Sequence, residues 1–139
     1  MKKIVTLLLI ILLSVNTQFV FAQAGKSEPI WKKYPDNSKI GFQNADSFYE
    51  SLDKKQYIEF KNGIINIREK VFFKDVNNVL EKADEYGVTR HGGQGYHPNR
   101  QVYVFITVNE DGKKMLTAIF DAETKRLISS SSNFERDRP

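Results

Sequence analysis

"QVYVFITVNEDGKKMLTAIFDAETKRLISSSS", residues 101–132, is the stretch whose reading decides the fold. Successive side chains of a strand point to opposite faces, so Val102, Val104, Ile106 and Val108 fall on one side and Tyr103, Phe105 and Thr107 on the other. A strand that is apolar on both faces is central in its sheet or covered twice. Asn109 to Gly112 then turns the chain, Lys113 to Phe120 returns it, and Asp121 to Arg126 turns it again into a third strand near Leu127 to Ser131. The stretch predicts an antiparallel meander.

Working back from it, "FKDVNNVLEKADEYG", residues 73–87, places Val76, Val79, Leu80, Ala83 and Tyr86 on one helical stripe, with Asp75 able to cap and Gly87 placed to stop the helix. The opposite face, Asn77, Asn78, Glu81, Lys82, Asp84 and Glu85, is polar, as a solvated face should be. Before it, "YIEFKNGIINI", residues 57–67, sets Asn62-Gly63 between two β-prone runs. Asn-Gly takes the positive φ values of a type I′ turn, which predicts a hairpin with strands near 57–61 and 64–68. Asn44, followed by Ala45, Phe48, Tyr49 and Leu52 at helical spacing, predicts a short capped helix over 45–54. The fold class is therefore α+β: a small single domain over 44–132, with a helix packed on an antiparallel β-meander and a second short helix and β-hairpin ahead of it. Residues 23–43, with Pro29 and Pro35 and with Ile30, Trp31 and Tyr34 as bulky anchors, read as an irregular lead-in, and 133–139 as a charged, flexible tail.

The first 22 residues read as a signal peptide. Lys2 and Lys3 precede an apolar run from Ile4 to Leu13, and Val20-Phe21-Ala22 followed by Gln23-Ala24 supplies small residues for cleavage after Ala22 or Ala24. The run is shorter than the ~20 residues a spanning helix needs, so no stable membrane span is expected after cleavage. With no Cys in the chain, lipid attachment and disulfides are both excluded. The location expected is secreted or periplasmic. Cleavage removes two of 21 basic residues and none of 17 acidic ones, leaving 19 against 17. A net charge near +2 gives little support to general polyanion binding, so no specific nucleic-acid partner is expected.

Residues 74–131 resemble the PepSY family, whose domains close a hairpin strand with an aspartate followed by a Thr-Gly-Lys-Val-like turn into a last strand. Asp121, Ala122, Glu123, Thr124, Arg126 and Leu127 follow that order, while Lys125 stands where the family commonly has Gly. Asp121 and Thr124 can bond neighbouring backbone groups and fix the turn. The resemblance implies a small exported domain of the kind found beside secreted peptidases or in the cell envelope, where it binds and inhibits or regulates. It brings no catalytic residues.

The remaining feature is "TRHGGQGYHPNR", residues 89–100, which holds both histidines and three of the eight glycines. A connection of about thirteen residues is long beside the four to six typical of compact domains, and such loops are often functional. Arg90, His91, Tyr96, His97 and Arg100 are residue types that recognise partners, with Tyr96 an anchor and Arg90 or Arg100 charged contacts. Trp31 is read as docked on the domain, with ligand stacking as its alternative. Read this way, the chain is an exported non-catalytic binding protein for a protein or cell-envelope partner, an inhibitor or regulator of a secreted or envelope enzyme, with no cofactor. The alternatives are a small nuclease or hydrolase using His91 and His97 as acid and base with Arg90, Arg100 or Lys113 on the phosphate, a metal site of the two histidines completed by Asp84 or Glu85, or a solvated connector without function. "HGG" alone does not make an oxyanion loop, since no G-x-S-x-G elbow accompanies it.

Overall fold

The structure, a computed structural model, describes residues 28–93 and 95–134. The proposed signal peptide, the start of the lead-in and the end of the tail lie outside the described residues. In chain order the elements are α1 (Ala45–Ser51), β1 (Ile65–Phe72), α2 (Val76–Leu80, flanked by single 3₁₀ turns at Phe73–Asp75 and Glu81–Ala83), β2 (Gln101–Val108), β3 (Lys114–Asp121) and β4 (Leu127–Phe134). The strands form one sheet in the order β1-β2-β3-β4, antiparallel throughout. The chain is a small α+β domain.

The double apolar pattern of β2 has the predicted consequence: all eight of its residues are buried between β1 and β3. One face carries Tyr103 and Phe105 and, with Ala118 and Phe120 of β3, packs under Phe48 and Tyr49 of α1. The Phe48 ring stacks on Tyr103 at 4.1 Å between centroids. The other face carries Val102, Val104, Ile106 and Val108 and packs under Val76, Val79, Leu80 and Ala83 of the α2 region. Side chains of this size contribute about 1.5–3 kcal/mol each when fully buried, so each helix is held by its own core.

Helix α1 begins as its sequence predicts, with the Asn44 side chain accepting from the Ser47 N–H at 2.8 Å. At α2 the expected cap is not used. Asp75 makes no side-chain cap bond, because the chain enters through a 3₁₀ turn in which the Val76 N–H already donates to Phe73 O.

The hairpin over 57–68 does not form. Asn62 and Gly63 are absent from the positive-φ residues, so the type I′ turn is not made. Tyr57 is buried in the aromatic core beside Phe105, and the Phe60 N–H donates to the hydroxyl of Thr107. That anchoring uses residues 57–60 for the core and sends 65–72 along the free edge of β2, where eight residues pair in register from Ile65↔Val108 to Phe72↔Gln101. A long pairing on an existing strand outcompetes a local two-strand ribbon, which is marginal alone.

Candidate functional site at the lead-in and the 89–100 loop

The loop between α2 and β2 is fastened along most of its length. The His97 N–H donates to Tyr34 O, the Arg100 N–H to His97 O, the Lys74 N–H to Pro98 O and the Phe73 N–H to Arg100 O. At its other end the Asn77 side chain bonds both backbone groups of His91, accepting at 2.8 Å and donating at 3.1 Å. Tyr34 and Tyr96 form a parallel β-bridge, so the lead-in and the loop run side by side.

Rings fill the seam between them. Tyr96 lies between Tyr34, stacked at 4.3 Å, and Phe73, stacked at 5.0 Å, while His91 meets the Phe73 ring edge-on at 5.4 Å. Burial, with the Tyr96 hydroxyl donating a hydrogen bond to that of Tyr34, pushes the Tyr96 phenol up to about 12. Tyr96 is thus an anchor, but within the fold. Burial moves the His91 imidazole down from its ordinary value, and its Nε2 is buried without a hydrogen-bond partner among the described residues. Both effects favour the neutral ring.

Arg100 is not the exposed contact that its place in a Gly-rich loop suggests. It is 1 % exposed, and its guanidinium holds the Asp121 carboxylate at 2.5 and 3.0 Å, Glu123 at 2.8 Å and the Pro35 carbonyl at 3.0 Å. An arginine whose donors are all directed inward joins lead-in, loop and the β3–β4 turn. Beside it the Asn37 side chain accepts from the Gln101 N–H, and the Gln101 side chain donates to the carbonyls of Asn37 and Ile40. Arg90 is exposed but occupied, pairing with Asp84 at 2.6 and 2.7 Å, and the Arg90 hydrogen bonds pull the Asp84 carboxyl below the usual range.

Exposed at this seam are Ile30 and Trp31, at 66 % and 38 %. The Trp31 indole is edge-on to His97 at 5.6 Å, so Trp31 is docked on one side and open on the other. His97 also accepts the Asn99 N–H at Nδ1 and has Asp36 at 3.9 Å. The structure brings Trp31, Tyr96 and His97 together with Ile30 and Tyr34. His91 belongs to the same row of rings through Phe73, whereas Arg90 faces the end of α2 and Arg100 the interior.

The two histidines contact different rings, and the guanidiniums that would hold a phosphate are each committed to carboxylates. Among the described residues no group of three or more His, Cys, Asp or Glu is placed to hold a metal ion. Phe73, Asn77 and Asp121, which fix the site, stand far from it in sequence, and only the bulky anchors of the lead-in announced their part. Comparison with family models, curated proteins and solved structures gives no match for this chain.

Proposed function

We propose that the chain is an exported, non-catalytic binding protein whose recognition surface is the seam of the lead-in and the 89–100 loop. Its partner on this reading is a protein of the secreted fraction or the envelope, and a secreted enzyme that it inhibits or regulates is the most concrete version. One observation carries the reading: Ile30 and Trp31 present bulky apolar surface on backbone that the Tyr34–Tyr96–Phe73 stack and the Arg100 bonds hold in place. Trp and Tyr are the residues most enriched where binding energy concentrates, and a preordered surface loses less entropy on association. The basic and then apolar opening of the sequence supports export, and no helix among the described residues is long and apolar enough to cross a membrane. The PepSY resemblance at Asp121 to Leu127 is the ground for a regulatory partner.

The test is affinity capture from the exported and envelope fractions of the protein's own cells. Wild type is expected to retain one protein in near-equal amount. Trp31→Ala with Ile30→Ser is expected to weaken capture by about thirtyfold or more, the effect of losing a strong anchor, while melting as wild type does. Equal capture by both would exclude this surface. No capture from a complete fraction would sink the protein-partner reading and turn attention to nuclease, hydrolase and metal assays on His91 and His97.

A further inference from the structure

The two edges of the sheet differ in a way that points to a second surface. On β1, three consecutive charged residues, Arg68, Glu69 and Lys70, stand on the edge strand. Charges of this kind keep an edge from pairing with another chain. On the opposite edge β4 reads Leu127-Ile-Ser-Ser-Ser-Ser-Asn-Phe134, without a charge or a proline. A bulge at Ile119/Phe120 disturbs only its beginning, and from Ser129 onward the pairing with β3 is regular.

The alternation of antiparallel bonding fixes which β4 groups are unused. The Asn109 N–H donates to Lys114 O, and the Asp121 N–H to Arg126 O, so even-numbered β3 residues bond β2 and odd-numbered ones bond β4. By the register Thr117↔Ser131 and Ile119↔Ser129, Ser129, Ser131 and Asn133 bond inward. The backbone N–H and C=O of Ser130 and Ser132 therefore point outward, and among the described residues no backbone hydrogen bond joins them to another segment.

Beside this edge, on the α1 face, is a cavity of about 320 Å³ lined by Lys54, Lys55, Ile58, Leu116, Ser130 and Ser132 among others. Ile58 is 56 % exposed there, and Leu127, opposite Phe120 of the same face, is 40 % exposed. A strand laid along β4 would meet apolar surface and two cations with one set of its alternate side chains.

We propose that β4 accepts an extended acidic segment of another protein as a fifth strand, its alternate aliphatic and acidic side chains directed to Ile58 and Leu127 and to Lys54 and Lys55. Backbone bonds to Ser130 and Ser132 give affinity, and the lysines select the charge. A second copy fits less well. Two-fold pairing of β4 with itself keeps the same face of both sheets on one side, and so sets both Lys54-Lys55 pairs along one seam, where like charges repel.

The test uses the full chain and three probes: an acetylated octapeptide Val-Thr-Glu-Thr-Val-Thr-Glu-Thr, which sets valine and glutamate in turn on one face, the same peptide with lysine for glutamate, and the acidic peptide N-methylated at alternate amides. The acidic peptide is expected to bind and to slow amide exchange at Ser130 and Ser132, with the lysine and N-methylated peptides each weaker by about tenfold or more. Ser132→Pro removes one outward N–H at an edge position where proline is tolerated, and is expected to lose binding with the fold intact. If that variant fails to fold, Lys55→Glu must still reverse the preference between acidic and basic peptides. Equal binding of the N-methylated peptide, no preference for the acidic one, or a dimer formed through β4 would each overturn the proposal.

Discussion

Asp121 closes β3 with 1 % of its surface exposed, and its carboxylate receives Arg100 twice and the N–H groups of Glu123 and Thr124. Burial alone pushes its carboxyl up, but the Arg100 and Thr124 bonds outweigh burial and hold it below the ordinary value. A carboxyl depressed in the folded state stabilises above its unfolded value, and the contribution is lost as pH falls through the folded one. Asp121→Asn is therefore expected to cost about 3–5 kcal/mol at neutral pH, as breaking a buried pair does. In urea titrations the gap to wild type should narrow below about pH 4; parallel pH profiles would contradict it. Lys125, four residues on, has φ +59°. Lys125→Gly relieves that conformation and is expected to gain up to about 1 kcal/mol by the same measurement. Tyr57 Oη is buried without a hydrogen-bond partner among the described residues, so Tyr57→Phe should raise stability by about 1 kcal/mol, the cost of an unsatisfied hydroxyl. The turn-forming role of Asp121 was legible in the sequence, because its acceptors act within three residues. Its pairing with Arg100 was not, since that contact spans 21 positions and an arginine among glycines reads as solvated.

Among the elements, β2, β3 and the capped start of α1 were readable, because period and capping are local signals. The hairpin was misread for a reason that lies outside the segment: Thr107 and the aromatic core claim residues 57–60, and the open edge of β2 claims 65–72. Local turn preference is weaker than eight paired residues on a central strand. The loop was legible as a recognition candidate by composition, but its fastening depends on Phe73 and Asn77 on another element. Gly93 shows how closely it is seated, since a Cβ there would lie 2.2 Å from the Phe73 ring, whereas one at Gly92 would meet nothing within 4 Å. Gly93→Ala is expected to lose about 1–3 kcal/mol through overpacking and to weaken the aromatic signals of near-ultraviolet circular dichroism, with Gly92→Ala as the neutral control. Equal behaviour of the two variants would mean that the loop does not rest on Phe73.

For the whole molecule, a sheet covered by α1 on one face and α2 on the other leaves its ends and edges for recognition. One end carries the lead-in and the loop as a single platform, and the account stands on that platform being rigid. Native-state amide exchange at His97 and Arg100 tests this most directly, because their N–H groups donate to Tyr34 O and His97 O within the seam. The account predicts protection within about tenfold of β2 amides such as Tyr103, and its collapse in Tyr34→Ala, as expected of one cooperative unit. Exchange of both amides at the rate of an unstructured peptide in the wild-type protein would contradict it, and would make residues 89–100 a solvated connector.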